Sequence, residues 1–163
     1  MLIRPGLASD VGQVASVHVA AIREVCGLVY EAAQIEAWVS GKRPEIYLHA
    51  IAHLPFFVAE LDGAVVGFAE LDPGAGEVRA VYVRPDCGRR GIGSALLDAV
   101  VGAARAAALE RLELKASLNS VPFYEARGFV VDELTTFTLR NGGTLPCAAM
   151  HKSLRPALPG SVT

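Results

Sequence analysis

The chain has 163 residues, 52% of them hydrophobic and 20% charged, a length that suits one domain around one core and excludes a repeat array or two full domains. Fifteen basic against seventeen acidic residues give a net charge of -2, without the basic excess that phosphate-backbone binding calls for, so nucleic acid is not an expected partner. The longest uncharged stretch, residues 46–59, is broken by Pro55 and falls short of the roughly 20 apolar residues of a membrane span; the N-terminus lacks the architecture of a secretory signal, and the expected address is the cytoplasm.

In chain order, Ile3-Arg4-Pro5 reads as a short first strand, and Ser9 or Asp10 as the cap of a helix. Val11, Val14, Ala15, His18, Ala21, Ile22 and Val25 recur at helical spacing and predict one amphipathic helix ending near Cys26-Gly27. A short helix is predicted over residues 31–39, with Ile35 and Trp38 on one face, and another from Arg43-Pro44 to about Leu54. Beyond Pro55 the period changes: residues 56–61 and 64–71 alternate around Asp62-Gly63, which predicts a β-hairpin with a two-residue turn. Residues 77–83 form a further strand stopped by Arg84-Pro85, residues 88–93 a glycine-rich loop, and residues 94–108 an apolar helix. A half-buried strand over 112–116 follows, then a short helix capped by Asn119 or Ser120 with Pro122 in its first turn and Gly128 past its end. A second hairpin closes the fold, residues 129–139 and 144–152 around Asn141-Gly142-Gly143, and residues 155–163 read as a frayed tail. Hairpins, a strand-helix-strand unit and another hairpin make a mixed α/β sheet in one domain, residues 1–154.

The stretch from Val81 to Leu97 carries the most information. A strand delivers a glycine-rich turn into a helix start, where free backbone N–H groups and the positive dipole end create an anion site. A phosphate loop of the Walker type needs a lysine before Ser94, where Gly93 stands; a GxGxxG dinucleotide pattern begun at Gly91 and Gly93 meets Leu96 at its third glycine. Both nucleotide readings fail on residue identity.

The tract Gly88-Arg89-Arg90-Gly91-Ile92-Gly93, followed by Ser94-Ala95-Leu96-Leu97, closely resembles the acetyl-CoA signature Q/R-x-x-G-x-G/A of the GCN5-related N-acetyltransferase (GNAT) family, with Gly88 where the family prefers Gln or Arg. Asn119 with Phe123-Tyr124-Glu125-Ala126-Arg127-Gly128-Phe129 is similar to the family's N…FYE-x-x-GF motif, and the order of elements is similar to its fold. The resemblance implies an acyl-CoA N-acyltransferase-like α+β fold, a single mixed and mainly antiparallel sheet with helices on both faces. It implies acetyl-CoA as co-substrate, a primary amine as acceptor, no metal, and transfer by direct attack. It further implies that Val81, Tyr82 and Val83 splay from the 112–116 strand and offer backbone groups to the pantetheine and the thioester carbonyl, with a N–H near Val83 stabilising the oxyanion.

Three chemical problems attend such a transfer, and each points to a residue. An ammonium must lose a proton; Glu77, fourteen residues before Gly91, is the first candidate base and Glu70 the alternative, each otherwise a solvent-facing carboxylate. The leaving thiolate needs a proton, and a phenol of pKa about 10 against a thiol of about 8.5 makes Tyr124 the candidate acid, or else a packed ring beside Phe123 and Phe129. Arg89 and Arg90 are candidates to pair with the coenzyme phosphates, or else solvated surface; Asn119 caps its helix or contacts the pantetheine amides.

Cys26, Cys87 and Cys147 are odd in number and far apart, and read as buried or idle thiols; Cys87 has no nearby histidine in sequence to activate it. His49 and His53 lack the glutamate of HExxH and a third ligand, so no metal site is expected. His18 and Trp38 read as core packing near the acceptor side. A noncatalytic acyl-CoA-binding sensor with the same fold is the rival reading, and apolar excess in the terminal hairpin would mark a homodimer interface.

Overall fold

The computed structural model describes residues 1–156 of the chain; the predicted tail falls mostly on residues 157–163, outside the described residues. Seven strands, β1 (Leu2–Pro5), β2 (Phe56–Leu61), β3 (Ala64–Asp72), β4 (Glu77–Val83), β5 (Arg111–Ser117), β6 (Val130–Thr138) and β7 (Thr144–Ser153), form one sheet in the order β1-β2-β3-β4-β5-β7-β6. Every neighbouring pair is antiparallel except β4 with β5. The first hairpin turns on Asp62 (φ 50°) and Gly63 (φ 79°), both in the left-handed region that a two-residue turn of this type requires.

Helices α1 (Val11–Glu24), α2 (Ala32–Val39) and α3 (Leu48–His53) cover one face of the sheet, and α4 (Ile92–Ala106) the other, beside the short α5 (Val121–Glu125). Leu96, Leu97, Val100 and Ala104 of α4 pack on Val66, Ala69, Leu71 and Leu112, while Val14 and Val17 of α1 pack on Val58, Val65 and Phe68. Each face thus buries its own core, which absorbs most of the apolar half of the composition.

Three boundaries differ from the expectations for physical reasons. The segment expected as one helix to Leu54 is a 3-10 turn (Pro44–Tyr47) followed by α3, since Pro44 starts a turn without donating to it. Asp10 does not cap α1. Its carboxylate is drawn instead to the Arg4 guanidinium (2.8 and 3.0 Å) and the Leu7 N–H (2.8 Å), tying β1 to the turn before α1. Helix α4 starts at Ile92 rather than Ser94 because Gly91, at φ 75°, already accepts the Ala95 N–H. It stops at Ala106, where Ala108 turns left-handed (φ 57°) and the Leu109 N–H closes back on the Ala104 carbonyl.

Candidate active site

Among the described residues Glu77 and Glu113 are the one register pair between β4 and β5, supported by the Glu113 N–H on the Gly76 carbonyl (2.9 Å). Past that point the strands part. Across β3 and β4, Glu70 pairs with Ala80 but Leu71 pairs with Val78, so Arg79 is an extra residue on β4. A bulge of this kind bends its strand and increases its twist, which carries the end of β4 away from β5. The gap opens into a cleft of about 510 Å³.

One wall of the cleft is Val81, Tyr82 and Val83, and the facing wall is Leu114, Ala116 and Ser117. Its floor is the start of α4. With Gly91 as the cap, the N–H groups of Ile92, Gly93 and Ser94 belong to the first turn, where no intrahelical acceptor exists and the dipole is positive. A Cβ on Gly93 would meet the Phe123 ring at 3.4 Å and Val83 Cγ2 at 3.7 Å, so glycine keeps this passage open. Gly88 and Arg89 also line the cleft, whereas Arg90 is exposed and lies outside the lining.

Asn119 lines the cleft with a buried Oδ1 that has no hydrogen-bond partner, so it caps nothing. Ser120 stands at the start of α5 and its Oγ turns back to the Ser117 carbonyl (2.8 Å). Tyr124 is buried between Phe123 and Phe129, with ring centroids at 5.1 and 5.6 Å, and also lines the cleft; burial pushes its phenol up, so it carries its proton at neutral pH.

Glu77 and Glu70 lie outside the cleft lining, flanking the bulge. Glu70 has the more distinctive setting: Arg79 bridges it (3.8 Å) and Asp72 (2.6 Å), and burial outweighs that cation and holds the Glu70 carboxyl above the ordinary range. Cys87 is buried beside Arg84 (3.3 Å to a guanidinium nitrogen), and all three cysteines are free and buried. His49 and His53 lie with tilted rings 4.7 Å apart on exposed positions of α3, and among the described residues no group of three or more His, Cys, Asp or Glu is gathered as metal ligands would be.

Sequence reasoning missed Arg127, which hydrogen-bonds Ser94 Oγ and lies 5.6 Å over the Phe123 ring at the cleft edge. Its position between Tyr124 and Gly128 was the available signal. It also missed Lys115 and the bulged Arg79, because nothing local in the sequence marks a bulge or the face that a strand residue takes once two strands part. The donors and one acceptor fit an elongated ligand with phosphate at one end and amide at the other: first-turn N–H groups and arginines donate to the anion, and the orphan Asn119 Oδ1 accepts from an amide N–H.

The description of the acetyltransferase (GNAT) family matches residues 25–129. The chain is 32% identical to a GCN5-related N-acetyltransferase structure from Rhodopseudomonas palustris, described as an aminotransferase, class-II, over 94% of this chain and 95% of that one, with a TM-score of 0.87. It shares its fold with the PaiA N-acetyltransferase of Thermoplasma acidophilum in complex with coenzyme A (22% identity, 93% and 98% covered, TM-score 0.77). The same holds for yncA, a putative acetyltransferase of Salmonella typhimurium with acetyl-CoA (20%, 100% and 99% covered, TM-score 0.65). No curated protein matches the sequence. No helix among the described residues is long and apolar enough to cross a membrane. From the split strands, the helix-start cradle and these likenesses together, the chain belongs to the GNAT family and is an acetyltransferase.

Proposed function

We propose that the cleft holds acetyl-CoA between β4 and β5 and that the chain transfers its acetyl group directly to a primary amine of a small molecule. The observation that carries this reading is the junction of a parted strand pair with the free first turn of α4, beside the orphan Asn119 Oδ1. Bound acetyl-CoA supplies an activated thioester carbonyl. The ammonium gives one proton to a base, the freed amine nitrogen forms the C–N bond, the C–S bond breaks, nitrogen loses its second proton, and the sulfur leaves as a thiolate that takes one up.

In this reading the Ile92, Gly93 and Ser94 N–H groups, with Arg89 and Arg127 at the rim, hold the pyrophosphate; Gly88 lends backbone, and Arg90 is surface. Backbone groups of Val81, Tyr82 and Val83 orient the pantetheine, and an N–H near Val83 stabilises the oxyanion. Tyr124 protonates the leaving sulfur. Burial raises the phenol, and a thiolate released in the same desolvated place is raised alike, so the two stay matched. Between Glu77 and Glu70 as base, the raised carboxyl of Glu70 is the better match to an amine at neutral pH, since a base works best with a pKa near the working pH.

Three free buried thiols fit a reducing compartment and the cytoplasmic address. Exposed Val130 and Leu134 on the edge strand β6 support a homodimer through the terminal hairpin, which sedimentation at two concentrations tests.

A thiol-release assay with acetyl-CoA and a pool of small amines tests the reading. Release that depends on the amine is the expected result. Binding of acetyl-CoA with no release for any amine would favour the rival reading of a noncatalytic sensor.

A further inference from the structure

On the α1 side of the sheet a second cavity of about 90 Å³ meets the cleft, sharing Arg79, Tyr82, Lys115 and Ser117 with it. Its remaining lining includes His18, Tyr30, Trp38 and Lys42. Three cations thus border it and no carboxylate does. Arg79 is already bound to Asp72 and Glu70, but among the described residues neither Lys42 nor Lys115 has a carboxylate within ion-pair distance. Lys42 is half-buried, and desolvation first, then Arg140, disfavours its charged form, while the Glu70 carboxylate, beyond ion-pair distance, offsets only part of this. An anion placed beside it would reverse that penalty.

His18 adds an independent sign. It is 6% exposed, lies against Tyr82 with the rings tilted and their centroids 4.1 Å apart, and leaves Nε2 buried without a partner. Its Nδ1 lies 2.9 Å from the Tyr47 hydroxyl. Burial keeps the Tyr47 phenol protonated and the imidazole neutral, and the phenol has no other partner among the described residues for its proton. The Tyr47 O–H therefore donates to Nδ1, which puts the ring proton on Nε2 as an unanswered donor at the cavity. A buried donor without an acceptor is a costly arrangement that an anionic ligand relieves.

We propose that the acceptor is an amino acid-like primary amine whose carboxylate enters this cavity between Lys42, Lys115 and His18 Nε2–H, while its amine stays at the rim shared with the cleft. The volume suits a carboxylate and a short chain, and the cations of the lining favour that carboxylate over the second ammonium of a polyamine. This inference rests on the acetyl-transfer reading for the role of the amine, but binding of the carboxylate does not depend on turnover.

The test pairs each of a panel of amino acids with its α-amide and its decarboxylated amine. Binding to the coenzyme A-saturated protein is followed by calorimetry, and thiol release from acetyl-CoA in parallel. At least one amino acid is expected to bind and react about tenfold or more better than both of its matched partners, as a charge-assisted contact gives. Lys42 lines the second cavity and not the cleft, so Lys42→Met raises the KM for that amino acid while the KM for acetyl-CoA stays put. Amides or polyamines that bind as well as the amino acids overturn the proposal, as does a panel in which no amino acid binds. An amino acid that binds without thiol release upholds the cavity assignment and defeats the acetyl-transfer reading instead.

Discussion

Glu77 and Glu113 face each other at the closed end of the β4–β5 pair, and the bulged Arg79 two residues later marks where β4 leaves its neighbour. The cleft is a consequence of that departure. Because the strands part there, Val81 to Val83 stay paired with β3 on one side while their backbone edge toward β5 is left to a ligand.

The passage at the cleft floor gives the first prediction. Gly93→Val adds two methyl groups beyond a Cβ that already meets Phe123 at 3.4 Å and Val83 at 3.7 Å. The KM for acetyl-CoA is expected to rise about tenfold or more, a loss of roughly 1.4 kcal/mol in binding, measured by steady-state kinetics and by direct titration. Unchanged coenzyme affinity would place the ligand elsewhere.

Tyr124→Phe keeps the ring between Phe123 and Phe129 and removes only the hydroxyl. Turnover is expected to fall about 10²–10⁴-fold, the usual worth of a positioned acid, with the KM for acetyl-CoA nearly unchanged. An equal loss in both constants would make the hydroxyl structural.

Glu70 couples stability to pH. Its folded pKa is raised, chiefly by burial, so the folded chain holds this proton more tightly than the unfolded chain does. Stability from this group is present below the ordinary carboxylate value of about 4.3 and is lost as pH rises through the raised one. Glu70→Gln is therefore expected to melt higher than the parent at pH 8, with the gap closing toward pH 4, while kcat falls about 10²–10⁴-fold. Full activity in Glu70→Gln together with its loss in Glu77→Gln would assign the base to Glu77.

Much of this arrangement was legible in the sequence. The Asp62-Gly63 turn, the Gly88–Gly93 loop and Gly128 at φ 85° are short-range signals, because left-handed backbone and tight turns favour particular residues. Asn119 and Tyr124 were found by motif and stand in the cleft. The Arg79 bulge, the half-buried Lys42 and the orphan His18 nitrogen were not legible, since each depends on which strands and helices meet across many residues. His18 shows the limit well: helical periodicity correctly places it inside, but only the packed structure reveals that one ring nitrogen meets no partner.

The tie between β1 and α1 is predicted to carry stability. Asp10 is 4% exposed and accepts from Arg4 and Leu7, with Arg4 also holding Glu60 at 2.8 Å. Asp10→Ala removes the Arg4 and Leu7 hydrogen bonds, leaves Arg4 paired with Glu60 alone, and is expected to cost about 1–2 kcal/mol in denaturant unfolding. The Arg4 hydrogen bonds hold the Asp10 carboxyl below its ordinary value, so this stability is present above about pH 3.9 and is lost as pH falls through the lowered pKa.

The central claim is tested most directly by following the acetyl group itself. Acetyl-CoA carrying deuterium in its acetyl methyl is incubated with the protein and the amino acid panel, and both the small molecules and the intact protein are weighed by mass spectrometry. The label is expected on the nitrogen of a carboxylate-bearing amine, in step with free coenzyme A, with none on the protein. Label held covalently on the protein, or on no amine at all while acetyl-CoA is bound, would contradict direct transfer.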